Sequence, residues 1–230
     1  MWAQRAARAL LLAGRYPAAA EILRFYAALA EWQGVVARSA TRLEGLEEFF
    51  PSLLELVRRI APPALRQAAE SLNVARCRAL VAQYWEHGEA PSPLDFFARA
   101  ALQPYAANAC AGAQCPWCSR RPQAAALRPE GEGLARELVC AVCLRRRPFP
   151  RLRCPGCGES DAGRLATYAT PEFAHLRLEA CESCHGYLQA VDLSRDPQAI
   201  PEVDELAGLP LDVWASQQGY QKLYPNLAGI

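Results

Sequence analysis

A chain of 230 residues, 52% hydrophobic and 21% charged, has material for a buried core and reads as globular rather than disordered. The formal net charge is +1, with Lys222 the only lysine, so composition alone gives no argument for nucleic-acid binding. Basic residues precede ALLLAG near the start, as in a secretory signal, but that run is short, Arg15 interrupts it and an amphipathic pattern follows at once. No stretch approaches the ~18 apolar residues of a membrane span, so a cytoplasmic chain without a membrane span is expected.

Residues 1–111 read as an all-α helical domain. Ile22, Phe25, Tyr26, Leu29, Trp32 and Val36 recur at helical spacing. A second run places Leu43, Leu46, Phe50, Leu53, Val57 and Ile60 on one face and stops at Pro62-Pro63. The spacing then predicts one helix from Ala64 to about Gly88, carrying Leu65, Leu72, Leu80 and Val81. Ser92 with Asp95 resembles a capping box for a fourth helix, whose apolar side is Leu94, Phe97, Leu102 and Tyr105. A helical core accounts for all of these, with Cys77 and Cys110 as ordinary small residues in it.

Past Ala111 the segments shorten, and eight of the ten cysteines fall in four CxxC pairs: CPWC, CAVC, CPGC and CESC. A reducing compartment favours metal ligation over disulfides, and a thioredoxin-type dithiol would open a helix rather than recur in matched sets. Between the first two pairs lie AAALR, a PEGEG turn and LARELV; between the last two lie RLATY, TPEFAH and LRLEA. Each unit reads as a β-hairpin with a metal knuckle at either end, which is the zinc-ribbon and rubredoxin-like layout.

Loops of 21 and 23 residues within the units, against 10 between them, favour Cys115, Cys118, Cys140 and Cys143 as one site and Cys154, Cys157, Cys181 and Cys184 as the other. A cross-braced pairing is the rival. Two residues between sulfurs let a tight turn aim both at one cation, stiffened by Pro116 and Pro155, with Gly156 and Gly158 easing the backbone. Four sulfurs suit zinc or a single iron, so the cofactor expectation is two mononuclear iron or zinc sites. Eight thiolates around two divalent ions would take the net charge from +1 to −3, against general phosphate affinity.

Arg120, Arg121, Arg145, Arg146, Arg147, Arg151 and Arg153 then read as charge compensation rather than as an RNA- or DNA-contacting ribbon, for which only Trp117 and Phe149 are placed to stack. His185 reads as a partly exposed knuckle residue, while His87 and His175 belong to no constellation. Near the C-terminus, Asp204, Glu205 and Asp212 stand among leucines, as a helix packed on the core or as a partner-binding strip.

These segments together resemble the FdhE family of formate dehydrogenase accessory proteins. RAARALLLAGRYPAAAEILRFYAALAEWQ is similar to that family's helical opening. CPWCSRRP, LVCAVCLRRRPFPRLRCPGCGE and EACESCHGYLQAVDLSRDP resemble its knuckles in order, and PEVDELAGLPLDVWASQQGY its acidic-leucine segment. Ser119 and His185 stand where that family tends to have glycine. The resemblance implies an α+β chain: a helical domain (1–111), two tandem rubredoxin-like or zinc-ribbon modules (112–150 and 151–200) and a short helical C-terminal segment (201–230). It also implies a non-enzymatic role in maturing formate dehydrogenase through contact with its catalytic subunit, usually with iron in the modules. The alternatives are a rubredoxin-like electron-transfer or redox-sensing protein and, third, a nucleic-acid-binding zinc ribbon. Oligomeric state is open, a homo-oligomer included.

Overall fold

The computed structural model describes residues 1–88, 90–110, 115, 118, 122–227 and 229. Pro116, Trp117, Ser119, Arg120 and Arg121, singled out above, lie outside them. Helix α1 (Trp2–Arg15), the segment weighed as a leader, lies along α2 (Ala20–Ser39). In α2 the buried Leu23, Tyr26, Leu29, Ala30, Gln33 and Val36 follow the helical period. In α1, Arg5 and Arg8 are buried beside Trp2, Ala9 and Leu12, so that helix needs acidic partners inside the molecule.

The second stripe begins as a 3-10 stretch over Glu44–Phe49 and becomes α3 (Phe50–Ile60), with Pro51 in its first turn. The single helix expected from Ala64 to Gly88 is two, α4 (Pro63–Glu70) and α5 (Val74–His87). Asn73 is the reason: its side chain accepts a hydrogen bond from Arg76 N at 2.9 Å and caps a new helix, which hydrophobic spacing does not register. The capping box expected at Ser92 does not form. Asp95 N donates instead to the Pro91 carbonyl at 3.0 Å, and α6 (Asp95–Ala109) starts after Leu94 with no side-chain cap.

Helix α6 is buried almost all round and ties the parts together. Its Gln103 donates to the Ala141 carbonyl, inside the CAVC knuckle, at 2.9 Å. Its Arg99 donates to the carbonyls of Pro225 (2.8 Å) and Asn226 (3.0 Å) near the C-terminus. The helical core therefore reaches the first cysteine unit and the tail alike.

The strands are β1 (Pro122–Glu130), β2 (Gly133–Cys140), β3 (Arg146–Pro148), β4 (Leu165–Ala169), β5 (Leu176–Cys181), β6 (Gly186–Asp192) and β7 (Gln221–Lys222). Both expected hairpins are present, β1–β2 and β4–β5. Strand β6, GYLQAVD, is wholly buried; it pairs antiparallel with β5 and parallel with β1, where Ala125 faces Ala190 and Leu127 faces Asp192. One sheet of order β3-β2-β1-β6-β5-β4, with β7 also on β6, thus spans both cysteine units. Helices α7 (Pro201–Ala207) and α8 (Leu209–Gln217) follow, and Val203, Leu206 and Leu227 join one core with Leu12, Leu23, Leu29, Phe97 and Val142. The class is α+β: an all-α N-terminal region, two zinc-ribbon units and a short helical C-terminal segment.

Candidate metal centres

The cysteines group within the units and not across them. Donor sulfurs of Cys115, Cys118, Cys140 and Cys143 all lie within 4.8 Å of one another, as do those of Cys154, Cys157, Cys181 and Cys184. Individual separations are 3.3 Å (Cys115–Cys118), 3.7 Å (Cys115–Cys140) and 3.4 Å (Cys118–Cys143) in the first group. In the second they are 3.8 Å (Cys154–Cys184) and 3.7 Å (Cys157–Cys181). A tetrahedron with metal–sulfur bonds of ~2.3 Å has edges of ~3.8 Å, so both groups fit a four-sulfur ion.

The knuckles show how a short sequence aims two sulfurs. Val142 N donates to Cys140 Sγ at 3.5 Å and Gly156 N to Cys154 Sγ at 3.3 Å. Leu144 N closes a turn on Cys140 O at 3.0 Å, and Gly158 N closes the equivalent turn on Cys154 O at 3.0 Å. In the three knuckles whose following residue is described, the chain enters the left-handed region after the second cysteine, at Leu144 (φ 57°), Gly158 (φ 83°) and His185 (φ 52°).

Charge makes the same argument as geometry. Hydrogen bonds from the Cys115 and Cys143 thiols pull Cys140 down to about 4, while contact with Cys115 and Cys140 pushes Cys143 up. Cys184, although its residue is exposed, is raised to about 12 by desolvation of its sulfur and by the adjoining Cys154 and Cys157. Four sulfurs this close do not all ionise unless a cation joins them. Cys77 and Cys110 belong to neither group; burial raises each to about 11, and the nearby Cys115, Cys118 and Cys140 add to the shift at Cys110.

The two groups differ in exposure. Cys115, Cys140 and Cys143 belong to the main core with Cys118 packed against it, whereas Cys157 and Cys184 of the second group are exposed. His185 is exposed as expected, its ring 6.0 Å from that of Tyr220.

Asp204, Glu205 and Asp212 do not form a surface strip: they are 0%, 0% and 2% exposed. Asp204 pairs with Arg8 of α1, lies 2.8 Å from His175 Nε2 and accepts Ile200 N at 2.8 Å. Arg8 also reaches Asp196 at 2.6 Å, and Arg5 pairs with Glu202. Glu205 accepts from Gln123 and lies 3.1 Å from Lys222 Nζ. Asp212 accepts from Tyr187 (2.9 Å) and Gln189 (2.8 Å) and lies 3.3 Å from Lys222. The acids thus fasten the C-terminal helices to α1 and the sheet. His175, given no constellation above, is part of this cluster; its donors, with those of Asp196 and Asp204, lie within 4.8 Å of one another, and Arg8 already supplies the cation.

Comparison with known proteins gives consistent matches. The family model described as "FdhE, C-terminal domain" matches residues 152–228, from the second centre through both C-terminal helices. "Protein FdhE homolog" of Aquifex aeolicus (strain VF5) is 28% identical over 199 residues, covering 80% of this chain and 70% of the relative. The protein of that name from Pseudomonas putida (strain KT2440) is 36% identical over 121 residues, covering 50% of this chain and only 38% of the relative. The crystal structure of the FdhE protein from Pseudomonas aeruginosa superposes with a TM-score of 0.72 at 26% identity, covering 99% of this chain and 94% of that one.

Proposed function

The chain belongs to the FdhE family, and on that premise we propose that it is a cytoplasmic accessory protein that matures formate dehydrogenase by binding the enzyme's catalytic subunit. One observation supports this most: each cysteine group supplies four sulfurs at tetrahedral spacing, so a metal there is filled by the chain and offers no substrate position. The eight cysteines are the proposed ligands, and the ions two mononuclear iron or zinc. Such closed centres fix the shape of a recognition surface rather than perform chemistry, and the chain is read as non-catalytic. No helix among the described residues is long and apolar enough to cross a membrane. An affinity-tagged chain recovered anaerobically from its native host should carry a formate dehydrogenase catalytic subunit. Recovery of the fully metallated chain without that subunit overturns the reading.

A second reading, electron transfer, draws on the exposure of Cys157 and Cys184, which brings the second centre to solvent. It requires an iron–thiolate absorption band that dithionite bleaches reversibly. Colourless protein with two zinc ions after iron-replete anaerobic growth removes it.

A further inference from the structure

Beside the second centre, a cavity of about 110 Å³ lies between the loop 150–153 and the sheet. Arg136, Arg151, Arg153 and Arg177 line it, Glu179 is the only acid among its described lining residues, and Cys154 and Cys181 form part of its wall. Arg136 of β2, 5% exposed, builds it. Its Nη1 donates to the carbonyls of Pro150 (3.2 Å) and Arg153 (3.1 Å), fastening the loop that carries Arg151 and Arg153 to the rim. Its Nη2 lies 2.7 Å from Glu179 Oε2, and Arg177 Nη2 lies 3.1 Å from Glu179 Oε1.

One carboxylate therefore serves two guanidinium groups, and the buried Nε atoms of Arg136 and Arg177 have no hydrogen-bond partner among the described residues. Buried donors left unpaired are costly and rare in folded proteins. Arg151 and Arg153, both exposed, bring two more cations to the same opening. Four guanidinium groups against one carboxylate make a formal +3, whereas four thiolates around a divalent ion make −2. Charge compensation of the metal centre does not use all of these arginines. The guanidinium fork matches planar or tetrahedral oxyanions, and the cavity has room for such a group with some of its water.

We propose that this cavity is an oxyanion-binding site beside the second metal centre, taking either a small free anion such as phosphate or the C-terminal carboxylate of a peptide. The proposal does not depend on the accessory role. The test is calorimetric titration of the metal-loaded full chain at low ionic strength with three probes: inorganic phosphate, a short peptide ending in a free carboxylate, and its amidated form. Arg151→Gln/Arg153→Gln is the matching variant, because both side chains are exposed and the loop is held through its carbonyls. Wild type should bind phosphate or the free peptide saturably. The double variant should bind at least about tenfold more weakly, since each lost guanidinium contact is charge-assisted, with metal content and circular dichroism unchanged. Peptide binding that amidation abolishes identifies a chain terminus as the source; phosphate binding alone identifies a free anion. No saturable binding of either probe below about 10 mM, or equal binding by the variant, overturns the site.

Discussion

Lys222 Nζ lies 3.1 Å from Glu205 Oε2, with the two side chains only 5% and 0% exposed. This ammonium, the chain's only lysine, also lies 3.3 Å from Asp212, so one buried cation faces two buried carboxylates. Burial lifts Glu205 to about 7; Lys222 opposes the shift, and Asp212 adds to it. Burial would lower Lys222, but Glu205 and Asp212 outweigh it and hold the ammonium charged. Glu205 is the group that takes up the surplus proton.

That assignment predicts a pH profile. The folded state holds a proton on Glu205 that the unfolded chain releases near 4.5, so this contribution is full below about pH 4.5 and fades as pH rises through about 7. Urea unfolding from pH 5 to 8 should show a fall on the order of 2 kcal/mol from this group, absent in Glu205→Gln. Parallel profiles for wild type and variant would remove Glu205 as the titrating group.

Arg8 is the clasp between α1 and the C-terminal segment, shared by Asp204 and Asp196. Arg8→Met leaves Asp204 buried with one cation fewer and should destabilise the chain by roughly 3–5 kcal/mol in urea unfolding. Adding Asp204→Asn should restore part of that loss, because the two side chains are coupled. A single variant within about 1 kcal/mol of wild type would mean the pair holds little of the junction together.

The cysteine groups were legible because ligand chemistry writes itself locally: two sulfurs per turn and a hairpin of matching length between turns. The helical stripe of α2 was legible for the same local reason, whereas α6 is buried almost all round and carries none. Asn73 breaks a helix by one side-chain hydrogen bond while the apolar spacing runs on across it. The β1–β6 seam left no local trace, since GYLQAVD is buried throughout and its pairing with Ala125–Leu127 is fixed only in three dimensions. The acids at Glu202 and Asp204 had a readable signal in Arg5 and Arg8, two cations on the apolar face of α1 that need buried partners.

The left-handed residues after the knuckles predict opposite effects for two exchanges. Gly158 (φ 83°) replaced by alanine acquires a Cβ in a conformation that disfavours one and should lose about 1–2 kcal/mol of stability. His185 (φ 52°) replaced by glycine sheds that strain and should be neutral or gain up to about 1 kcal/mol, less whatever its ring contact with Tyr220 contributes. Thermal midpoints of the metal-loaded variants measure both. A marked loss in His185→Gly would show that the imidazole matters more to the knuckle than its backbone does.

Exposure of Cys157 and Cys184, against the core setting of Cys115, Cys140 and Cys143, predicts that the two centres release metal in sequence. A chelator or thiol reagent reaches the second group from solvent, while the first opens only when the helical core loosens around it. Release should therefore be biphasic, with one ion lost fast and the other at a rate that increases with urea. Cys157→Ser should abolish or further speed the fast phase and leave the slow one. It should also leave most of the helical circular dichroism, because the main core contains the first group and not the second. Cys140→Ser should instead reduce both metal content and helical stability, since its sulfur site is packed into that core. A single release phase for both ions, unaffected by urea, would show that exposure does not set the order.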